Sequence, residues 1–430
     1  MKAPDMMYLN LEGPAARGVK LGGSYAPDPG FRFDDEVYTS YPQFNYHPHL
    51  IEDLRTSGVD VVSTANNHSL DRGWRGVDRT IEALDAQGMP YTGTRPSRFK
   101  GDPKPPARHV VLERKGFRVA WLSCTFSVNG LPDYKDQVLR CYEDRQQVLA
   151  SIQGLAKDKT IDAVMVTPHW GLEYTTALRK RERVLAVEML EAGATAVLGA
   201  HPHVVQPWQT HTTRDGRTGL IVYSLGNFIS NMSEPARRAS AMVYVGLTRD
   251  RATKRVFLNG VRYVPTYMYR GKVRSLRAIE RAGTRNPSAK EGLAFLVGVW
   301  GNYNLERVSD PLGPLDTSPQ CDPKWRAPLE FHPQNGGVGG GCLSADACPE
   351  GATCQRSDSH PQGTCERSCE DTACPRQARP LARLACVASP QGARCLPRCG
   401  RKSPCRPGYT CATRALHPRG KRAVCVPSAR

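Results

Sequence analysis

DVVSTANNHSLDRGW, residues 60–74, is the stretch whose reading decides the fold. A short valine-rich run from Val59 to Ala65 leads into two asparagines and a histidine. A helix-like pattern follows, with Trp74, Val77, Ile81 and Leu84 on one face and Gly88 as its stop. A strand that enters a helix through a polar turn is the repeating unit of an α/β domain. In such domains ligands gather beyond the carboxyl ends of the strands.

Working outward, the same arrangement recurs. The run Ile161 to Thr167 leads into His169, Ala194 to Gly199 leads into His201 and His203, and Gly219 to Ser224 leads into Asn227. Phe117 to Ser123 reads as a further strand, and Leu178 to Ala192 as a helix closed by Gly193. Thr248 to Tyr269 holds two strand-like runs, and Asn286 to Asp310 is helix-like, with Leu293, Phe295, Leu296, Val297 and Trp300. The expected class is α/β for roughly the first three hundred residues.

Histidines at strand ends matter because neutral imidazole is a common metal ligand and a sheet holds its strand ends in fixed positions. His201 and His203 are two apart, so an extended chain would project both to one side. His169 taken alone reads more readily as a core or loop histidine. Asn67-His68 has an equally simple reading as an Asx turn before the helix. The functional alternative gives Asn67 a metal and His68 a proton to move, with Asp71 orienting His68 or capping the helix. Glu12, after a short apolar run, is a candidate bridging oxygen ligand, and Asn227 reads as a pocket residue or a plain turn. Jointly these residues fit one mixed nitrogen and oxygen site.

A chain of 430 residues with a net charge of +18 suggests two or three domains. No apolar run is long enough to span a membrane as a helix, and MKAPDMMYLN has no apolar core of a secretory leader. Yet twelve of the fifteen cysteines fall between Cys342 and Cys425, which implies an oxidising compartment. The expectation is a protein that works outside the cytoplasm and whose export signal is missing from this sequence.

Composition shifts at Pro311, and residues 311–341, ending in GGVGGG, read as a linker between a domain at 1–310 and a cysteine-rich module at 342–430. In that module Cys342-x5-Cys348-x5-Cys354-x10-Cys365 is matched by Cys399-x5-Cys405-x5-Cys411-x13-Cys425, with a looser set at Cys369, Cys374, Cys386 and Cys395. Three groups of four suggest six bridges, two per repeat, and the spacing lacks the C-x2-C pairs of structural zinc sites. Cys124, Cys141 and Cys321 remain, an odd number that leaves at least one free or intermolecular thiol. From Thr372 to Arg430 there is no acidic residue and there are thirteen basic ones. Such a field attracts anionic polymers or surfaces, although a plain solvated face reads the same way.

The ordered set NLEGP, DVVSTANNHSLDRGWRGVDRTIEALDAQGMPYTGT, VMVTPHWGLEY, AVLGAHPHVVQ and IVYSLGNFI resembles the CapA family of poly-γ-glutamate capsule biosynthesis proteins over about residues 8 to 270. The resemblance implies a calcineurin-like metallophosphoesterase fold, a two-sheet αββα core. It implies a divalent centre of Mn, Fe or Zn, dinuclear in the family's pattern. By motif, Glu12, Asn67, His169, His201 and His203 would be ligands, and His68, supported by Asp71, would give a proton to the leaving oxygen or clamp the substrate anion. Asn10, Asn66 and Asn227 would support the ligands or face substrate. The family pattern also has a strand ending in Gly-Asp before NLE. Here the only Gly-Asp, Gly101-Asp102, lies in the loop KGDPKPP, so the fold is expected without its first strand and the sequence to begin downstream of its natural start.

Two functions follow as expectations. One is a metal-dependent hydrolase in capsule or poly-γ-glutamate synthesis or export. The other is a non-catalytic surface scaffold for anionic polymer with a disulfide-rich adhesion tail. The partners implied are poly-γ-glutamate or other wall or capsule material and a membrane capsule synthase complex, with no specific nucleic acid.

Overall fold

The structure is a computed structural model and describes residues 4–250, 253–269, 272–275, 287–301, 337–342, 348–357, 360–377, 381–390, 392–400, 403–406 and 409–428. The chain enters through β1 (Tyr8–Asn10), a long loop, α1 (His49–Thr56), β2 (Val61–Ser63), α2 (Gly73–Ala86) and β3 (Tyr91–Thr92). These three strands form a parallel sheet in the order β1-β2-β3. Next come β4 (His109–Arg114), β5 (Phe117–Thr125), α3 (Arg145–Lys157), β6 (Ala163–His169), α4 (Lys180–Glu191), β7 (Ala196–Leu198), β8 (Val205–Thr212) and β9 (Thr218–Leu225). They build a six-stranded sheet, β4-β5-β6-β7-β9-β8, in which β5, β6, β7 and β9 run parallel and the two outer strands antiparallel.

Alternation along each buried strand sorts side chains to two faces. Leu122, Val164, Val166, Val197 and Ile221 face α3 and α4, where Val148, Ile152, Leu185, Met189 and Leu190 cover them. Trp121, Met165, Leu198 and Val222 face the other way. There they meet a third sheet reached through α5 (Pro235–Arg238) and made of β10 (Ala239–Arg249), β11 (Val256–Tyr269) and β12 (Lys272–Ser275). The helix α6 (Pro287–Trp300) closes that layer, stacking Trp300 on Trp208 at 5.1 Å between ring centroids. The expected mixed α/β class, with two sheets face to face, is the one observed.

β3 joins the two parallel systems: Thr92 Oγ1 accepts the Ser123 N–H at 3.1 Å and lies 3.0 Å from the Trp121 carbonyl. Consequently the carboxyl ends of β1, β2, β6, β7 and β9 open in one direction. Gly199 shows how tightly they are drawn together. A Cβ there would stand 2.0 Å from the Tyr223 carbonyl oxygen and 2.7 Å from Trp170 Nε1. Cys124 and Cys141, left over in the sequence reading, form a buried disulfide in the α3 core. The remaining Cys321 lies outside the described residues.

The cysteine-rich segment repeats one unit three times. Its hairpins are β13 (Thr353–Ser357) with β14 (His360–Glu366), β15 (Leu384–Val387) with β16 (Arg394–Pro397), and β17 (Tyr409–Ala415) with β18 (Lys421–Pro427). Each places two cysteines opposite one another: Cys354 and Cys365, Cys386 and Cys395, Cys411 and Cys425. Neither bonds its neighbour. Both reach back to the preceding segment, giving Cys342–Cys354 with Cys348–Cys365, Cys369–Cys386 with Cys374–Cys395, and Cys399–Cys411 with Cys405–Cys425. A lone two-stranded hairpin is barely stable in water, and these staples supply what a small core cannot.

Most of the 311–341 stretch lies outside the described residues, but its end is not a free linker. Val338 is buried with Cys369, Leu384 and Cys395, and Gly339 N–H donates to the Cys365 carbonyl at 2.7 Å. Residues 337–341 therefore belong with the cysteine-rich segment, because a single valine among glycines suffices to seat them in its small core.

Since the carbonyl that a Cβ at Gly199 would strike is sheet backbone, Gly199→Ala should cost about 3 kcal/mol. A thermal melt within a degree of wild type would contradict this packing.

Candidate metal centre

Each sequence-selected residue sits at a strand end. Glu12 follows β1, residues 64–72 leave β2, His169 is the last residue of β6, His201 and His203 follow β7, and Asn227 follows β9. Donor atoms of Glu12, His201 and His203 all lie within 4.8 Å of one another. His169 Nε2 is 3.7 Å from Glu12 Oε1 and 2.9 Å from Asn67 Oδ1. Glu12, His201 and His203 thus form one cluster, which His169 borders at Glu12 with Asn67 beyond it, and the five residues come from four separate chain segments.

His201 and His203 do not converge through an extended chain, as the H-x-H spacing suggested. Their φ angles are 102° and 58°, so the chain turns, and the rings come together at 6.0 Å between centroids. Such backbone for a non-glycine residue costs on the order of 1–3 kcal/mol and persists where surrounding structure holds it.

The polar neighbours fix the rings. Asn227 donates from Nδ2 to the carbonyls of His203 and Arg237, which turns its Oδ1 toward His203 Nδ1 at 2.9 Å. His203 then donates its Nδ1 proton to Asn227 and turns Nε2 toward the centre. Asn10 Nδ2 lies 3.3 Å from Glu12 Oε2 and 3.4 Å from His169 Nδ1. Asn66 makes the Asx turn, accepting the His68 N–H at 3.1 Å and donating to the Leu11 carbonyl at 2.7 Å. Its neighbour Asn67 is thereby free to face His169.

His68 and Asp71 form a second buried pair, Nδ1 to Oδ2 at 2.8 Å, with the ring edge-on to Phe44. Asp71 orients the imidazole and also accepts the Phe44 N–H at 2.7 Å. Helix α2 takes no side-chain cap from it.

Burial lowers the pKa of His201 from the usual 6.5 to about 3, with His203, His68 and Arg179 adding to the effect. Burial likewise holds His169 well below the usual value, reinforced by His201 and His203. Burial pushes Glu12 up, against the attraction of His203 and His68. Neutral imidazoles beside a destabilised carboxylate make a pocket short of positive charge. His201 Nδ1, moreover, is buried with no hydrogen-bond partner. A divalent cation answers both deficits, so the donor set fits such an ion.

Glu173, Tyr174, Arg237, Phe126 and Asn129 were not singled out from sequence. Glu173 Oε1 is 3.9 Å from His203 Nε2, and Tyr174 stacks on His203 at 5.6 Å with the Arg237 guanidinium 3.8 Å above its ring. Phe126 packs on His201 at 4.6 Å, and Asn129 Oδ1 is 3.4 Å from Asn67 Nδ2. Glu173 and Tyr174 stand within VMVTPHWGLEY, but only the turn at Tyr174, φ 62°, folds them back over the histidines.

An α/β sandwich with imidazole and oxygen donors at its strand ends defines a class of candidate metal-site proteins. Residues 1–232 match the family described as bacterial capsule synthesis protein PGA_cap, and the chain belongs to that family. It is 31% identical over 207 residues to the capsule biosynthesis protein CapA of Bacillus anthracis, covering 47% of each chain. It is 29% identical over 220 residues to the PGA biosynthesis protein CapA of Bacillus subtilis, covering 49% of this chain and 54% of that one. The chain thus spans about half the length of these relatives. A Thermus thermophilus sulfate thiohydrolase, SoxB, aligns over 58% of this chain and 38% of its own at 16% identity and a TM-score of 0.34, too low to bear on fold or function.

For a histidine whose folded pKa is depressed, the unfolded chain binds more protons between the two values, so stability falls as pH drops through that window. With chelator present, unfolding free energy should decrease from pH 7 to 5, on the order of 1 kcal/mol per pH unit for each buried histidine below 6.5. His201→Gln should flatten the slope, and equal slopes in the two proteins would contradict the assignment.

Proposed function

We propose that this centre holds a divalent ion, Mn, Fe or Zn, in one or two sites, and hydrolyses or transfers a phosphoryl or acyl group during synthesis or export of a capsule polymer such as poly-γ-glutamate. The observation that carries the reading is the convergence of Glu12, Asn67, His169, His201 and His203, with a partnerless His201 nitrogen among them. When bound, such an ion supplies Lewis acidity toward the oxygen of an ester or amide. Glu12 and Asn67 would hold it through oxygen, and the three histidines through ring nitrogen.

Asp71 keeps the His68 proton on Nδ1 and so leaves Nε2 to take or give a proton at the leaving oxygen. Phe44 excludes water from one side of that ring. Asn10 and Asn66 keep the β1 and β2 ends in register, and Asn227 aims His203. The seven disulfides support a working place outside the cytoplasm. Wall or capsule material and a membrane synthase complex are the partners this reading implies.

Elemental analysis of the purified chain after exposure to Mn, Fe or Zn should find bound metal. Asn227→Ala should weaken its affinity by about 10–100-fold. His68→Gln should leave metal content intact while lowering turnover of a phosphodiester or poly-γ-glutamate substrate by about 10²–10⁴-fold. No retained metal, and no difference between wild type and His203→Ala on such a panel, would end the enzymatic reading and leave the scaffold one.

A further inference from the structure

The third hairpin of the cysteine-rich segment departs from the other two. All three are anchored at an opposed cysteine pair, but the first continues only from Cys354–Cys365 to Ser357–His360, and the second adds one pair, Val387–Arg394. The third runs on from Cys411–Cys425 through Ala412–Val424, Thr413–Ala423 and Arg414–Arg422 to Ala415–Lys421. This extension carries no disulfide. Arg414, Arg419, Lys421 and Arg422 all lie exposed on it.

Register concentrates the charge further. Arg414 and Arg422 are directly opposed and share a face. Arg398, exposed on the neighbouring segment, bridges Val424, two residues along β18; Val424 itself is buried against Ala385 and Val387, so Arg398 and the Arg414–Arg422 pair stand on either side of that packed spot. Like charges placed opposite one another destabilise a strand pair, and here no acidic residue occurs from Thr372 to the end of the chain. Among the described residues, none of Arg398, Arg414, Arg419, Lys421 or Arg422 has an ion pair. The contrast is local, since Arg394 on the second hairpin pairs with Glu366 at 2.7 Å.

We infer that the β17–β18 extension, with Arg398, is a docking surface for a linear polycarboxylate chain. The guanidinium fork matches a carboxylate with two parallel hydrogen bonds, and an opposed pair of such forks with a third on the neighbouring segment suits a polymer bearing one carboxylate per unit. An anionic chain laid across this face relieves the repulsion that the free hairpin tolerates. The choice of poly-γ-glutamate as probe rests on the capsule reading above, but the surface is separate from the strand-end centre and its occupancy needs no metal.

The test uses the full-length chain and poly-γ-glutamate, with binding followed by fluorescence anisotropy of the labelled polymer. Arg414→Glu/Arg422→Glu should raise the apparent Kd about tenfold or more at low salt, and added salt should shrink the difference. Metal content should not change, and binding should survive both chelator and His203→Ala. Loss of metal with retained polymer binding would therefore sink the catalytic reading alone. The methyl ester of the polymer should not bind. Unchanged affinity in the double variant would overturn the proposal. So would equal binding of DNA or of phosphatidylglycerol vesicles, which would make the surface a general anion patch. Should free thiols reveal a misfolded variant, phenylglyoxal labelling of the wild-type chain decides. Polymer should protect Arg414 and Arg422, and equal labelling with and without it overturns the docking surface.

Discussion

The parallel alignment of β6, β7 and β9, drawn to contact at Gly199, is the constraint on which the rest depends. With no Cβ at that position the Tyr223 carbonyl can lie against β7 and still accept the Trp170 indole N–H at 3.1 Å. That contact sets the three strand ends side by side. His169, His203 and Asn227 then need only short turns to meet, with positive φ at His201 and His203 and, in the segments folded over them, at Asn129 and Tyr174. The candidate donors sit at or just beyond the ends of a packed sheet, which limits the chain that must be ordered to bring them together.

A second layer of order comes from amides. Asn10, Asn66, Asn67 and Asn227 each bind two or more groups around the centre, and an amide can donate to a carbonyl while presenting its oxygen elsewhere. Carboxylates in those places would add negative charge to a pocket where burial already disfavours the ionised Glu12. The choice of asparagine therefore keeps the carboxylate count low while still fixing tautomers. Among the four rings His68 is the one with a carboxylate at hydrogen-bond distance, Asp71 at 2.8 Å, whereas the nearest carboxylates to His169 and His203 stand at 3.7 and 3.9 Å.

Much of this was legible in the sequence because strand ends and histidines coincide along the chain. The strands around Val61, Phe117, Ala163, Ala196 and Gly219 and the helices at 73–86 and 180–191 follow from apolar period and glycine stops. Helix α3 was not read, because its apolar positions, Val148, Ile152 and Leu155, lie among glutamines and alanine, and Asp144 at its N-cap makes no side-chain cap bond. Strand β8 was missed since Pro207 interrupts it, which an outer strand permits. At the site, local spacing could not say that His201 and His203 meet through a turn. Nor could it bring Arg237 over Tyr174, since pairs more than sixty residues apart are set by topology alone. The bridges show the same limit: cysteine spacing gave the grouping, and only the hairpin register gave first-to-third and second-to-fourth pairing.

The two ends of the chain are chemically compatible in a way that bears on where they work. All fourteen cysteines among the described residues are paired, including Cys124 and Cys141 inside the sandwich core. A disulfide inside the sandwich core is consistent with the same oxidising surroundings as the stapled tail. A thiolate is vulnerable to oxidation, and the candidate donors at the strand ends are imidazole, amide and carboxylate. Charge divides the labour in turn. The buried centre is short of positive charge and suited to a small cation, while the tail presents its guanidinium groups to solvent.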